Sequence, residues 1–175
     1  KLYDAVRGTT KHIESDTTDA EATEAGGLTA FGSDGFTVGD YSSINNTDGL
    51  YVAWCWKESA TAGFDIDSNS GTGSARTEAH SLSAVPHVIF TKSTDDTTNW
   101  AVYHHKNTSA PETDYLRLNS NRATADDAER WNDTAPTSSV FSVGTDSETN
   151  ASGNSYITYL WSEKQGFSKF GSYTG

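Results

Sequence analysis

The chain has one cysteine, no methionine and three prolines, and its 12 lysines and arginines face 24 aspartates and glutamates. A single thiol excludes an intramolecular disulfide framework. A formal net charge of -12 opposes attraction to phosphate backbones, so nucleic acid is not an expected partner. No apolar run reaches the roughly 20 residues that a membrane-spanning helix needs, and the opening KLYDAVRG lacks the apolar centre of a signal peptide, so membrane insertion is not expected either. The absence of methionine, with Lys1 at the start, reads as the mark of an internal or processed piece of something longer. What is abundant is Thr, Ser, Asn, Asp and Gly, a composition suited to solubility outside the cell, with acidic loops able to collect divalent cations.

The chain repeats itself. FTVGDYSSINNTDGLYVAWCWKE, from Phe36, aligns without a gap on FSVGTDSETNASGNSYITYLWSE, from Phe141, an offset of 105 (141 minus 36). Phe36, Val38, Gly39, Asn45, Tyr51, Trp56 and Glu58 fall on Phe141, Val143, Gly144, Asn150, Tyr156, Trp161 and Glu163. The same offset carries Ala20, Glu24, Thr29 and Ala30 onto Ala125, Glu129, Thr134 and Ala135, whereas LYDAVRG at Leu2 fits VYHHKNT at Val102 with an offset of 100. About five residues are therefore gained near SAPETD, by this reading. Cys55 faces Leu160, a substitution that asks for a modest apolar side chain and predicts a buried, unreactive thiol.

Apolar residues come in short runs between Gly, Asn, Asp and Ser clusters, with no helical period held for three turns, so the fold class is all-β. Strands are expected at LYDAV, GFTVG, LYVAWCWK, ARTEAHSL, HVIFTK, WAVYHH, DYLRLN, VFSVG and SYITYLW, and single helical turns at DAEATEA and DDAERW. LYVAWCW is apolar on both faces, as a strand inside a two-layer sandwich or at an interface would be. The repeat divides the chain into a truncated first unit over residues 1–58, a complete second unit over 59–163 and the start of a third over 164–175. On that division, the second unit is expected to fold without residues 1–58.

Several blocks resemble the tandem repeats, about a hundred residues each, of tail-fibre-type virion proteins of marine bacteriophages. They are VPHVIFTK from Val85, NWAVYHH from Asn99, WNDTAPTSSVFSVG from Trp131, NASGNSYITYLW from Asn150 and GFSKFGSYTG from Gly166. The resemblance implies a jelly-roll, concanavalin-like β-sandwich on a virion surface or appendage, and no particular reaction. The first unit departs from it, with GGLTAFGSDGF in place of WNDTAPTSSVF.

Few constellations carry chemistry. Asp65, Asp67 and Asn69 alternate in DIDSNSG, a spacing that could aim oxygens at one calcium ion, although Ser70 stands where a calcium hand needs glycine and Arg76 where it needs glutamate. The alternative is a solvated acidic turn, and no other cofactor is expected. His104 and His105 are adjacent and point to opposite faces of a strand, and His12, His80 and His87 show no metal spacing. No nucleophile elbow occurs. The sequons at Asn45, Asn107, Asn132 and Asn150 read as turns. Trp100, Tyr103, Tyr115 and Trp131 are the candidates for a sugar-stacking platform, against the alternative that they are core or subunit contact.

These readings converge on a non-enzymatic structural and adhesive virion protein, a tail fibre or surface-decoration subunit. It is expected on the particle surface, with itself, other virion proteins and host surface polysaccharide as partners. The alternatives are a carbohydrate-processing domain, which would need two carboxylates across a groove, and a cellular adhesin or matrix filament subunit.

Overall fold

Alternating β-branched and aromatic residues fit a pleated, half-buried surface, and this chain is built almost wholly from such segments. The computed structural model describes residues 1–173. The elements run β1 (Lys11–His12), β2 (Ala22–Thr23), β3 (Leu28–Phe31), β4 (Phe36–Val38), the one-turn helix α1 (Ser42–Asn45), β5 (Phe64–Ser70), β6 (Arg76–Ala79), β7 (Val88–Ser93), β8 (Ala101–His104), β9 (Asp114–Arg117), β10 (Ala125–Asp126), α2 (Ala128–Trp131), β11 (Val140–Val143) and β12 (Ser155–Trp161). The fold is all-β, and every strand pairing is antiparallel.

The main layer is a six-stranded sheet in the order β10-β9-β8-β7-β12-β5. Its most extensively paired strand, β12, lies next to the edge strand β5, with which it pairs over its whole length, and it pairs along six residues with β7, from Tyr156↔Ser93 to Trp161↔Val88. The β6–β11 pair forms the second layer of the sandwich. Between the layers lie Leu82, Ile89, Ala101, Tyr103, Trp131, Phe141, Val143 and Leu160. α2 delivers Trp131 to this core; Asp127 caps the helix by accepting from the Glu129 amide at 3.0 Å, and Asn132 ends it in the left-handed conformation.

The other face of the sheet is covered by the first unit. Ile13 and Leu2 pack there on Trp100, Ile157, Tyr159 and Phe64. Trp100 Nε1 donates to Glu14 O at 2.9 Å, and Tyr159 OH donates to Asp4 Oδ2 at 2.7 Å. Arg7 completes a buried triad, donating from Nε to Asp4 Oδ2 (2.6 Å) and from Nη2 to Tyr159 OH (3.2 Å). Burial raises the Tyr159 phenol well above its ordinary range, although Arg7 opposes the shift. Since β12 is enclosed on both sides, it is apolar on both sides, and its alternate residues Ile157 and Tyr159 serve one core while Leu160 serves the other.

Three expectations change. LYDAV is reduced to a single bridge, Leu2↔Ile13. DAEATEA holds the short strand β2 and no helix. LYVAWCWK forms no strand, and Cys55 is exposed. Thr174 and Gly175, the end of the block that starts at Gly166, lie outside the described residues.

Candidate assembly site

The two units are held by the same bonds. Asn45 Nδ2 donates to Gly39 O at 2.7 Å, and Asn150 Nδ2 to Gly144 O at 2.7 Å. Tyr51 OH donates to Ser42 O (3.0 Å) and accepts from Asn46 N (2.8 Å); Tyr156 OH donates to Ser147 O (2.8 Å) and accepts from Ala151 N (2.8 Å). These pairs keep the offset of 105. The glycines are fixed by close approach, since a Cβ would lie 2.6 Å from Gly26 O at Gly39 and 2.1 Å from Glu129 O at Gly144.

Upstream the offset shrinks stepwise. Glu24 N donates to Thr10 O and Asp127 N to Thr113 O, so Glu24 corresponds to Asp127, two residues before the sequence alignment puts it. The Leu2↔Ile13 bridge corresponds to Val102↔Leu116. Of the five extra residues in the second unit, three therefore enter between β8 and β9 and two between α2 and β11.

Among the described residues no strand pairs with the 50–57 segment, which aligns with β12 in the second unit. The consequence is read residue by residue in solvent exposure. Phe36 is 44% exposed and Phe141 1%; Tyr51 is 49% and Tyr156 0%; Trp54 is 77% and Tyr159 4%. Val52, Leu50 and Trp56 are exposed as well. Phe36, Tyr51, Val52 and Trp54 are thus exposed where Phe141, Tyr156, Ile157 and Tyr159 are buried, and residues 50–56 make an apolar strip on the first unit. Trp56 alone of the strip touches the second unit's aromatics, with its ring centroid 6.4 Å from that of Phe64.

The expected sugar platform does not form. Trp100, Tyr103 and Trp131 are buried in the two cores, where large aromatic side chains contribute most by leaving water, and Tyr115 packs half-buried against them. Tyr115 also carries the Arg130 guanidinium 4.0 Å above its ring. The expected calcium loop is the strand β5. Asp65 is buried and accepts from Ser81 N and Oγ at 2.6 Å each, Asp67 accepts from Asn69 Nδ2 at 2.7 Å, and Asn69 Oδ1 accepts from Arg76 at 3.2 Å. These oxygens are taken up by protein donors.

Sequence spacing gave no sign of a different cluster, formed where three neighbouring strands end. His87 precedes β7, His105 follows β8 and Glu163 follows β12, and one ligand atom from each lies within 4.8 Å of the others. Glu163 N donates to His87 Nδ1 at 3.1 Å, and the two imidazoles meet edge to face at 4.4 Å. Burial, then the neighbouring His105, pushes the His87 imidazolium down. Lys169 and the Phe170 amide hold the Glu163 carboxyl at about 2. The signal that would have found the trio is strand register, because Val88 pairs with both His104 and Trp161.

No helix among the described residues is long and apolar enough to cross a membrane. The fold is an all-β sandwich of antiparallel sheets with an exposed apolar stretch at residues 50–57. Over residues 1–175 the chain belongs to the family described as a domain of unknown function (DUF7483). No curated protein and no solved structure matches it.

Proposed function

We propose that this protein is a non-enzymatic structural module of a bacteriophage particle surface or appendage, built by repetition of one β-sandwich unit, and that it assembles through its open first unit. In this reading a second copy of the chain packs against the 50–57 strip, and homo-oligomers result. The observation that carries it is the contrast in exposure between matched residues, above all Trp54 against Tyr159 and Tyr51 against Tyr156. An apolar strip of this kind, flanked by unpaired backbone, marks a surface meant for another polypeptide.

Cys55 lies in the strip and is the chain's one cysteine, which makes it a built-in reporter. Light scattering and alkylation kinetics across a concentration series test the reading. We expect oligomers that protect Cys55, and expect Trp54→Asp with Trp56→Asp to give a folded monomer with a fast-reacting thiol. A wild-type chain that stays monomeric at high concentration, with Cys55 open throughout, rules out assembly through this strip. Gold-labelled antibody on purified particles tests the location; label confined to cell-associated filaments would favour the matrix reading.

A further inference from the structure

We propose that His87, His105 and Glu163 form a binding site for one divalent transition-metal ion of the zinc type, which clips the ends of β7, β8 and β12 to the turn that opens the next unit. Two imidazoles and one carboxylate are a ligand set that such ions favour over calcium or magnesium. The backbone already brings them together: His87 N donates to Trp161 O at 2.7 Å and His105 N to His87 O at 2.9 Å, so two histidines 18 positions apart (105 minus 87) share one strand end. His105 Nε2 stands 3.7 Å from Glu163 Oε1. In a tetrahedral site with bonds of about 2.0–2.2 Å the ligand atoms stand roughly 3.4 Å apart, so atoms within 4.8 Å need only small side-chain rotations. All three residues are half-buried, which leaves one side open for a fourth ligand. His105 Nε2 donates to the Phe170 carbonyl at 3.2 Å, a bond it gives up if that nitrogen coordinates.

Two further contacts work against the ion and shape the test. His87 Nδ1 accepts from the Glu163 amide, so its ring must turn over or give up that bond to coordinate. Lys169 Nζ sits 3.0 Å from Glu163 Oε2 and competes for the carboxylate, but it is exposed and free to swing away. The first unit has Glu58 opposite Glu163 and Ala5 opposite His105, so the chain carries one such site.

The test is calorimetric titration of the tag-free full chain with zinc chloride, and with cobalt(II) read by visible absorption. We expect a stoichiometry of one and a cobalt spectrum of tetrahedral type. Affinity should fall at least tenfold in His105→Gln and in Glu163→Gln, hold in His80→Ala and rise a few-fold in Lys169→Ala. Lys169→Ala removes only an exposed side chain, so it keeps the test valid if a ligand variant fails to fold. Absence of binding, binding undiminished in His87→Gln with His105→Gln, or an affinity unmoved by Lys169→Ala overturns the proposal.

Discussion

Asn150 is buried without exposure and accepts from Thr72 N while donating to Ser74 O and Gly144 O; Asn45 makes the matching bond to Gly39 O in the open. An unsatisfied buried polar group costs about 1–3 kcal/mol, and water replaces an exposed partner. Asn150→Ala should therefore lower unfolding free energy by roughly 2–3 kcal/mol and Asn45→Ala by well under about 1 kcal/mol, as read from urea denaturation. Tyr103 gives a pH test. Burial raises its folded pKa to about 12, while an unfolded tyrosine ionises near 10. The raised folded value contributes stability that is complete below about 10 and is lost as pH rises towards about 12. Tyr103→Phe should flatten the alkaline fall in stability, and an unchanged slope would show that the phenol is not buried. What the sequence hides at this scale is side-chain direction. Trp100, Tyr103 and Trp131 read equally well as platform or core, since a polar β-surface and a sandwich interior can share the same alternation.

The 50–57 segment and β12 align residue on residue, with Tyr51 on Tyr156 and Trp56 on Trp161, and stand in two environments. SYITYLW was legible as a strand, and β12 bears that out, with a core on each face. Residues 50–57 were legible in the same terms, wrongly for this chain, because a strand exists only where neighbours accept its hydrogen bonds. Cys55 inherits that error: Leu160 opposite it is buried among strands that the first unit lacks. The register shift between Glu24 and Asp127 was likewise out of reach, since five inserted residues can be split between loops in many ways that score alike. A proline separates the two environments. Leu160→Pro should abolish folding by breaking the central ladder, whereas Cys55→Pro should leave the monomer's melting temperature within about 2 °C, because no ladder bond is lost there. A large loss in Cys55→Pro would mean that the segment is already paired.

At the scale of the molecule, the two units are distinct in sequence and joined in structure. Residues 1–58 were expected to be dispensable for folding of the second unit. Their removal, however, would strip Ile13 and Leu2 from Trp100, Ile157 and Tyr159 and leave Tyr159 without Asp4 and Arg7. We expect scanning calorimetry of the intact chain to show one cooperative transition, and the 59–175 fragment to bind a hydrophobic dye. Two resolved transitions, or a dye-silent fragment, would restore independence of the units. Such coupling is invisible to repeat detection, which sees likeness along the chain and not the faces that touch.

The stepwise offset also has a practical use. One architecture accommodates three extra residues between β8 and β9 and two more between α2 and β11, while the flanking bonds, Glu24 to Thr10 and Asp127 to Thr113, Gly39 to Gly27 and Gly144 to Arg130, stay matched. Loop-closure cost grows only slowly with length. The stretches 106–112 and 132–135 are therefore natural grafting positions, where a foreign epitope or ligand-binding peptide can be inserted without disturbing the sandwich that carries it.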